Sequence, residues 1–139
     1  MDLKAVMVEA GTALGAITSL RVYVGAPGKV DVPATGAAAV VPYPTRITYD
    51  ATYGRGMDRI EQDILLVIGR PTDRVTVDKL TSYAAGAGSD SVKTVLEGHT
   101  WTTCDGCRVE TVEFDVVQIA AVDHMAAVFT VEFWGQGSA

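Results

Sequence analysis

The run Ile64-Leu65-Leu66-Val67-Ile68 places five apolar side chains in succession with no polar residue between them. A strand with one face in water alternates apolar and polar residues, so a short unbroken run of this kind, stopped by Gly69, reads as a strand buried on both faces. Gln62 to Gly69 is therefore expected at the centre of a sheet. The rest of the chain has to supply its neighbours and a covering layer.

The covering layer begins at the N-terminus. Leu3, Val6, Met7, Ala10, Ala13, Leu14 and Ile17 recur at helical spacing and predict an amphipathic helix from Asp2 to Ile17, with Asp2 as its cap. Gly11 and Gly15 each weaken that helix by about 1 kcal/mol relative to Ala, and allow another element to approach closely. Leu20 to Val24 alternates like a strand and is stopped by Gly25-Ala26-Pro27-Gly28. Lys29 to Gly36 reads as an extended surface connection. Ala38 to Tyr43 is a second strand, and Pro42 and Pro44, which cannot donate to a ladder, favour an edge position or a bulge for it.

Arg46 to Asp50 continues extended into a loop of glycine, charge and tyrosine, Tyr49-Asp50-Ala51-Thr52-Tyr53-Gly54-Arg55-Gly56-Met57-Asp58, which precedes the central strand. Pro71-Thr72-Asp73 opens a second helix with Val75, Leu80, Tyr83 and Ala84 inward; Ser89 or Asp90 caps a third, closed by Gly98. A polar loop to Arg108 leads into two long strands, Val109 to Ala120 and His124 to Trp134, turning around Val122-Asp123. The expected class is α+β: one domain over residues 1–139, with a mixed or antiparallel sheet, an N-terminal helix, two central helices and a C-terminal β-hairpin. Residues 135–139 read as a loose tail.

A chain of 139 residues suffices for one core, burying roughly two-thirds of the surface its unfolded form exposes. With 48% hydrophobic and 20% charged residues the composition is that of a folded, soluble protein, and the positive mean hydropathy hints at surface hidden by oligomerisation. No apolar run approaches the roughly 20 residues of a membrane span, and Asp2, Lys4 and Glu9 do not resemble a secretory leader. The net charge of −6 argues against neutralising many DNA phosphates. Two cysteines are too few for a disulfide scaffold, which points to a reducing compartment.

Cys104-Asp105-Gly106-Cys107 has the spacing of a metal or thiol-exchange pair, but a closed zinc site needs four ligands and the only imidazoles are His99 and His124. The expected state is a solvent-exposed turn. Gly54-Arg55-Gly56 lacks the spacing of a dinucleotide or phosphate loop, which leaves a hairpin tip or an interface loop. Glu61 with Asp63, and Asp73 with Asp78, read as solvated charge rather than acid/base pairs. Trp101 and Trp134 are either interface anchors or core packing. No catalytic, cofactor or metal residue is assigned, and an enzyme is not expected.

Taken in order, Leu3-Lys4-Ala5-Val6-Met7, Leu20-Arg21-Val22, the Tyr49-Asp50 to Arg55-Gly56-Met57-Asp58 loop and the Val67-Ile68-Gly69-Arg70-Pro71-Thr72-Asp73-Arg74 turn form a pattern. It continues through Ser91-Val92-Lys93, Leu96-Glu97-Gly98, Val122-Asp123 and Phe129-Thr130-Val131. Across nearly the whole chain it resembles the tail terminator proteins of long-tailed bacteriophages that infect actinobacteria. The resemblance implies a structural virion protein without cofactor or membrane, a homo-oligomer closing as a hexameric ring on the tail tube. Its partners would be the major tail tube protein and the head–tail connector or head-closure protein, with genomic DNA passing through without sequence-specific binding. It would be assembled in the host cytoplasm and reside in the virion, at the head-proximal end of the tail. Tyr53, Arg55, Met57, Asp58, Arg59 and Trp101 are the expected contacts with subunit, tube or connector. The cysteine pair departs from that family, in which no metal or thiol function is expected. Two other readings stand beside it: another neck component, such as a head-closure or tail-completion protein, and a small-molecule-binding or enzymatic domain.

Overall fold

The computed structural model describes residues 2–17, 20–25, 37–49, 57–68, 80–86, 88, 91–119 and 122–136. Outside them lie the 29–36 connection, Tyr53 and Arg55, the 71–73 helix opening with Val75, the proposed caps Ser89 and Asp90, and residues 137–139.

Helix α1 spans Leu3–Leu14. Asp2 caps it: its carboxylate accepts the N–H groups of Lys4 at 3.0 Å and Ala5 at 3.3 Å, two of the amides a helix start leaves unpaired. From its second member on, the stripe expected from sequence is the face that packs, with Val6, Met7, Ala10, Ala13, Leu14 and the following Ile17 all buried, while Leu3 at its start is exposed. Each large aliphatic side chain in that stripe contributes about 1.5–3 kcal/mol of transfer free energy. The close approach expected at the helix glycines occurs at Gly11, where an added Cβ would stand 2.8 Å from Val24 Cγ2.

The strands are β1 (Leu20–Val24), β2 (Ala37–Val41), β3 (Arg46–Thr48), β4 (Met57–Val67), β5 (Gly106–Ile119) and β6 (Val122–Gln136). They form one sheet in the order β1-β2-β4-β6-β5, with β3 also on β4; β1 and β2 run parallel and all other pairs antiparallel. The fold is α+β, and β5 with β6 makes the C-terminal hairpin. As expected, Ile64 to Val67 lie in the middle of the sheet. β4 nevertheless starts at Met57, so Met57, Asp58 and Arg59 belong to a strand rather than to the loop tip.

β2 is fully buried between β1 and β4, not at an edge. The prolines act just beyond it. β2 and β3 pair with the same side of β4, at Leu65–Val67 and Arg59–Glu61, and the break between them is Pro42-Tyr43-Pro44-Thr45. Gln62, only 1% exposed, bridges the gap by donating its amide to the Pro42 carbonyl at 2.7 Å. Thr45 resumes the ladder by donating to the Glu61 carbonyl at 2.9 Å.

The described part of helix α2 covers residues 80–84, with Leu80 and Tyr83 fully buried. Helix α3 is Val92–Gly98, and its cap is Ser91 rather than Ser89 or Asp90: extended at ψ 118°, it accepts the Thr94 N–H and donates to the Ala85 carbonyl. One large cluster joins α1, α2 and α3 to Ala37, Ala39, Val41, Ile60, Ile64, Leu66, Phe129, Val131 and Phe133. A smaller cluster of Val40, Val67, Ala126, Leu65 and Val117 lies on the opposite sheet face. The two clusters identify the sides of every strand.

β5 begins at Gly106, before the expected Val109, and a bulge lies between Val109 and Thr111. Because Glu110 is the extra residue, odd-numbered Val109 and even-numbered Val112 both face the helices, opposite Val131 and Phe129. The hairpin closes between Ile119 and Val122, so Val122 and Asp123 are strand residues paired with Ile119 and Gln118 rather than the turn. At its other end β6 continues through Gly135 and Gln136, beyond the expected stop at Trp134, because Asp58 and Met57 pair with them.

Candidate assembly surface

Alternation along β4 sends Asp58 and Ile60 toward the helices and Met57 and Arg59 to the opposite face. Met57 is half-buried opposite Gln136, and Asp58 is 9% exposed opposite Gly135. Arg59 lies 3.8 Å from the Glu132 carboxylate through Nε, a buried nitrogen without a hydrogen bond of its own. Trp101 is on the helix side. Its indole N–H donates to the Leu96 carbonyl at 3.0 Å, and its ring meets Phe133 edge-on at 5.2 Å and His99 at 4.8 Å. The structure thus joins Met57, Asp58 and Arg59 on one strand and places Trp101 elsewhere, packed on the core.

The connection from α3 to β5 is held by Glu9, a residue the sequence reading did not single out. Its carboxylate accepts the N–H of Thr103 at 2.9 Å, the Thr103 hydroxyl at 2.6 Å and the N–H of Thr102 at 3.0 Å, and faces His99 Nε2 at 2.9 Å. Burial alone would raise its pKa, but the Thr103, Thr102 and His99 hydrogen bonds outweigh it and hold Glu9 down at about 2. Glu97 works similarly on β5: its hydrogen bond with Lys93, then the Val109 N–H it accepts at the bulge, lower its pKa. The available signal was weak: a single acid beside the buried stripe of α1, and two consecutive threonines.

The cysteines are not in an exposed turn. Cys104 is buried, Cys107 lies in β5 with its thiol donating to the Leu96 carbonyl at 3.2 Å, and both are free thiols. Burial pushes Cys104 up to about 11 and Cys107 to about 12, the reverse of what a reactive thiol needs. Among the described residues no group of three His, Cys, Asp or Glu side chains is placed to hold a metal ion. His124 is a strand residue as expected, its Nδ1 3.1 Å from the Ile68 carbonyl.

Glu61 and Asp63 are half-buried on the face away from the helices rather than fully solvated. Burial, then Glu113 and Glu61, raise Asp63; a hydrogen bond with Glu110, then burial, raise Glu132, with Arg59 opposing.

Among the described residues two apolar surfaces stand open. On β5, at one edge of the sheet, Phe114 and Val116 are each 48% exposed. Near the other edge an open groove of about 380 Å³ runs between α1 and the end of β1, lined by Leu3, Met7, Val8, Val24, Tyr43 and Pro44, with Lys4 at its side. No described helix is long and apolar enough to cross a membrane. Compared with known proteins, the chain matches no family model and no curated protein.

Proposed function

We propose that this chain is a structural subunit of a long-tailed bacteriophage, closing as a ring on the end of the tail tube. The ring stops tube polymerisation and offers the head–tail connector its docking surface. The observation that carries the reading is the pair of unlike apolar surfaces at opposite ends of the sheet order, Phe114 with Val116 on β5 and the groove beside β1. Unlike, opposed surfaces suit head-to-tail association, which closes into a ring when the rotation allows. The resemblance of the ordered sequence segments to tail terminators supports the same function.

The net charge of −6 suits a ring around a passing genome, since a negative wall repels phosphates and lets DNA slide. Met57 and Arg59 lie at the start of β4, where they would border contacts made by Tyr53 and Arg55. The test is electron microscopy and native mass spectrometry of the purified protein with and without tail tubes. Tube ends carrying a ring are expected. A persistent monomer that ignores tubes overturns the proposal, and binding to filled heads before tubes would make the protein another neck component. Arg55→Glu should leave the chain folded and impair ring formation or tail joining.

A further inference from the structure

We infer that the ring contact is made by Phe114 and Val116 of one copy seated in the Leu3–Val8–Val24–Tyr43 groove of the next, an inference that rests on the ring reading above. The two surfaces match in phase. On β5, Phe114 and Val116 share the helix side of the sheet with Val112, while Glu113 and Asp115 share the opposite side with Val117. On β1, Val22 packs with the helix-side core and Val24 shares its face, while exposed Arg21 faces the other way. Each sheet edge therefore carries apolar side chains on the helix side and charge on the other.

The charges are opposite. On the side away from the helices, Glu113 and Asp115 are exposed and acidic on β5, and Arg21 is exposed and basic on β1. Alignment of two copies edge to edge puts apolar against apolar on one side and acid against base on the other, complementarity that fixes register and partner. A second copy satisfies both conditions at once. Like edges brought together would oppose acid to acid on β5.

The contact is one of side chains and not an extension of the sheet. Asp115 accepts the N–H of its neighbour Val116 at 2.8 Å, which occupies an amide an added strand would use. Phe114 and Val116 are exposed at one edge of the sheet and the groove is open near the other, so one copy presents both halves of the contact on different sides. Such an arrangement propagates head to tail.

Cysteine trapping tests this directly. Val8→Cys and Phe114→Cys are made separately, both at positions about half exposed, and the thermal melts of the variants establish that each folds. Mixed under mild oxidation, they should give a heterodisulfide dimer in several-fold excess over either homodimer. The double variant should give a ladder of covalent multimers ending at the ring size. The pair Leu3→Cys with Val116→Cys repeats the measurement at a second point. Wild-type rings accompanied by no excess of heterodisulfide from either pair overturn this contact and leave the ring reading standing. Absence of both rings on tail tubes and heterodisulfide overturns the two together, and homodimers through Phe114→Cys alone would show a β5-to-β5 contact instead.

Discussion

The carboxylate of Glu9 takes both the backbone N–H and the hydroxyl of Thr103, tying the first helix to a connection 94 residues further along the chain. Glu9 titrates at about 2 in the folded protein against 4.5 unperturbed, so the folded state binds the proton less tightly than the unfolded one. The stability it supplies is complete above about pH 4.5 and disappears as pH falls toward 2. With some solvent screening at a carboxylate 12% exposed, about 2 kcal/mol is at stake. Urea unfolding at pH 7 and pH 3 should show this loss in the wild type, and Glu9→Gln should flatten it while lowering stability at pH 7 by a similar amount.

Gly11→Ala sets helix propensity against crowding. Alanine favours the helix by about 1 kcal/mol, but its methyl would lie 2.8 Å from Val24 Cγ2 and 3.3 Å from Val22 Cγ1, and overpacking costs about 1–3 kcal/mol. Net destabilisation of about 1 kcal/mol is expected. In the double variant Gly11→Ala with Val24→Ala the clash is gone, and denaturant midpoints should return to the level of Val24→Ala or above it.

Replacing Gln62 by Leu keeps the buried volume and removes the donor that reaches the Pro42 carbonyl. An acceptor left without a partner in the core costs about 1–3 kcal/mol. Equilibrium unfolding should show that loss, and amide exchange should accelerate first in β2 and β3, which meet at the proline break.

Both thiols should resist 5,5′-dithiobis(2-nitrobenzoate) at pH 8 in the native protein, because burial raises Cys104 to about 11 and Cys107 to about 12. Stoichiometric labelling should appear only with unfolding, at a rate that follows urea concentration. Rapid native labelling of Cys104 would contradict its burial.

The strongest periodicities were readable from sequence. The α1 stripe with its Asp2 cap is buried as the spacing requires, and the unbroken Ile64 to Val67 run is central because two-sided burial leaves no room for alternation. β2 misled because Pro42 and Pro44 are normally edge residues; the side chain of Gln62, distant in sequence, fills the missing ladder position. The cysteine spacing misled as well, since the start of β5 and the end of α3 bury a segment whose polarity suggests a loop. Of the expected contact residues, Met57, Asp58 and Arg59 occupy a strand because β6 runs on to Gln136 and recruits them into the sheet. Phe114 and Val116 were hidden in an apparently ordinary alternation. Whether an alternating apolar row meets a helix or runs past it depends on tertiary placement, which no local pattern records.

The extra residue at Glu110 acts as a reading frame for the far half of β5. By taking one residue out of the alternation, the bulge keeps everything after it, Phe114 and Val116 included, on its present side of the sheet. Were Glu110 taken into a regular ladder, the faces beyond it would exchange, turning Glu113 and Asp115 toward the helices and the two apolar residues away from them. Its deletion would instead leave a regular strand with every later side chain on its present face. The chemistry of the whole outer edge thus depends on one residue being left out of the ladder, more than on which residue that is.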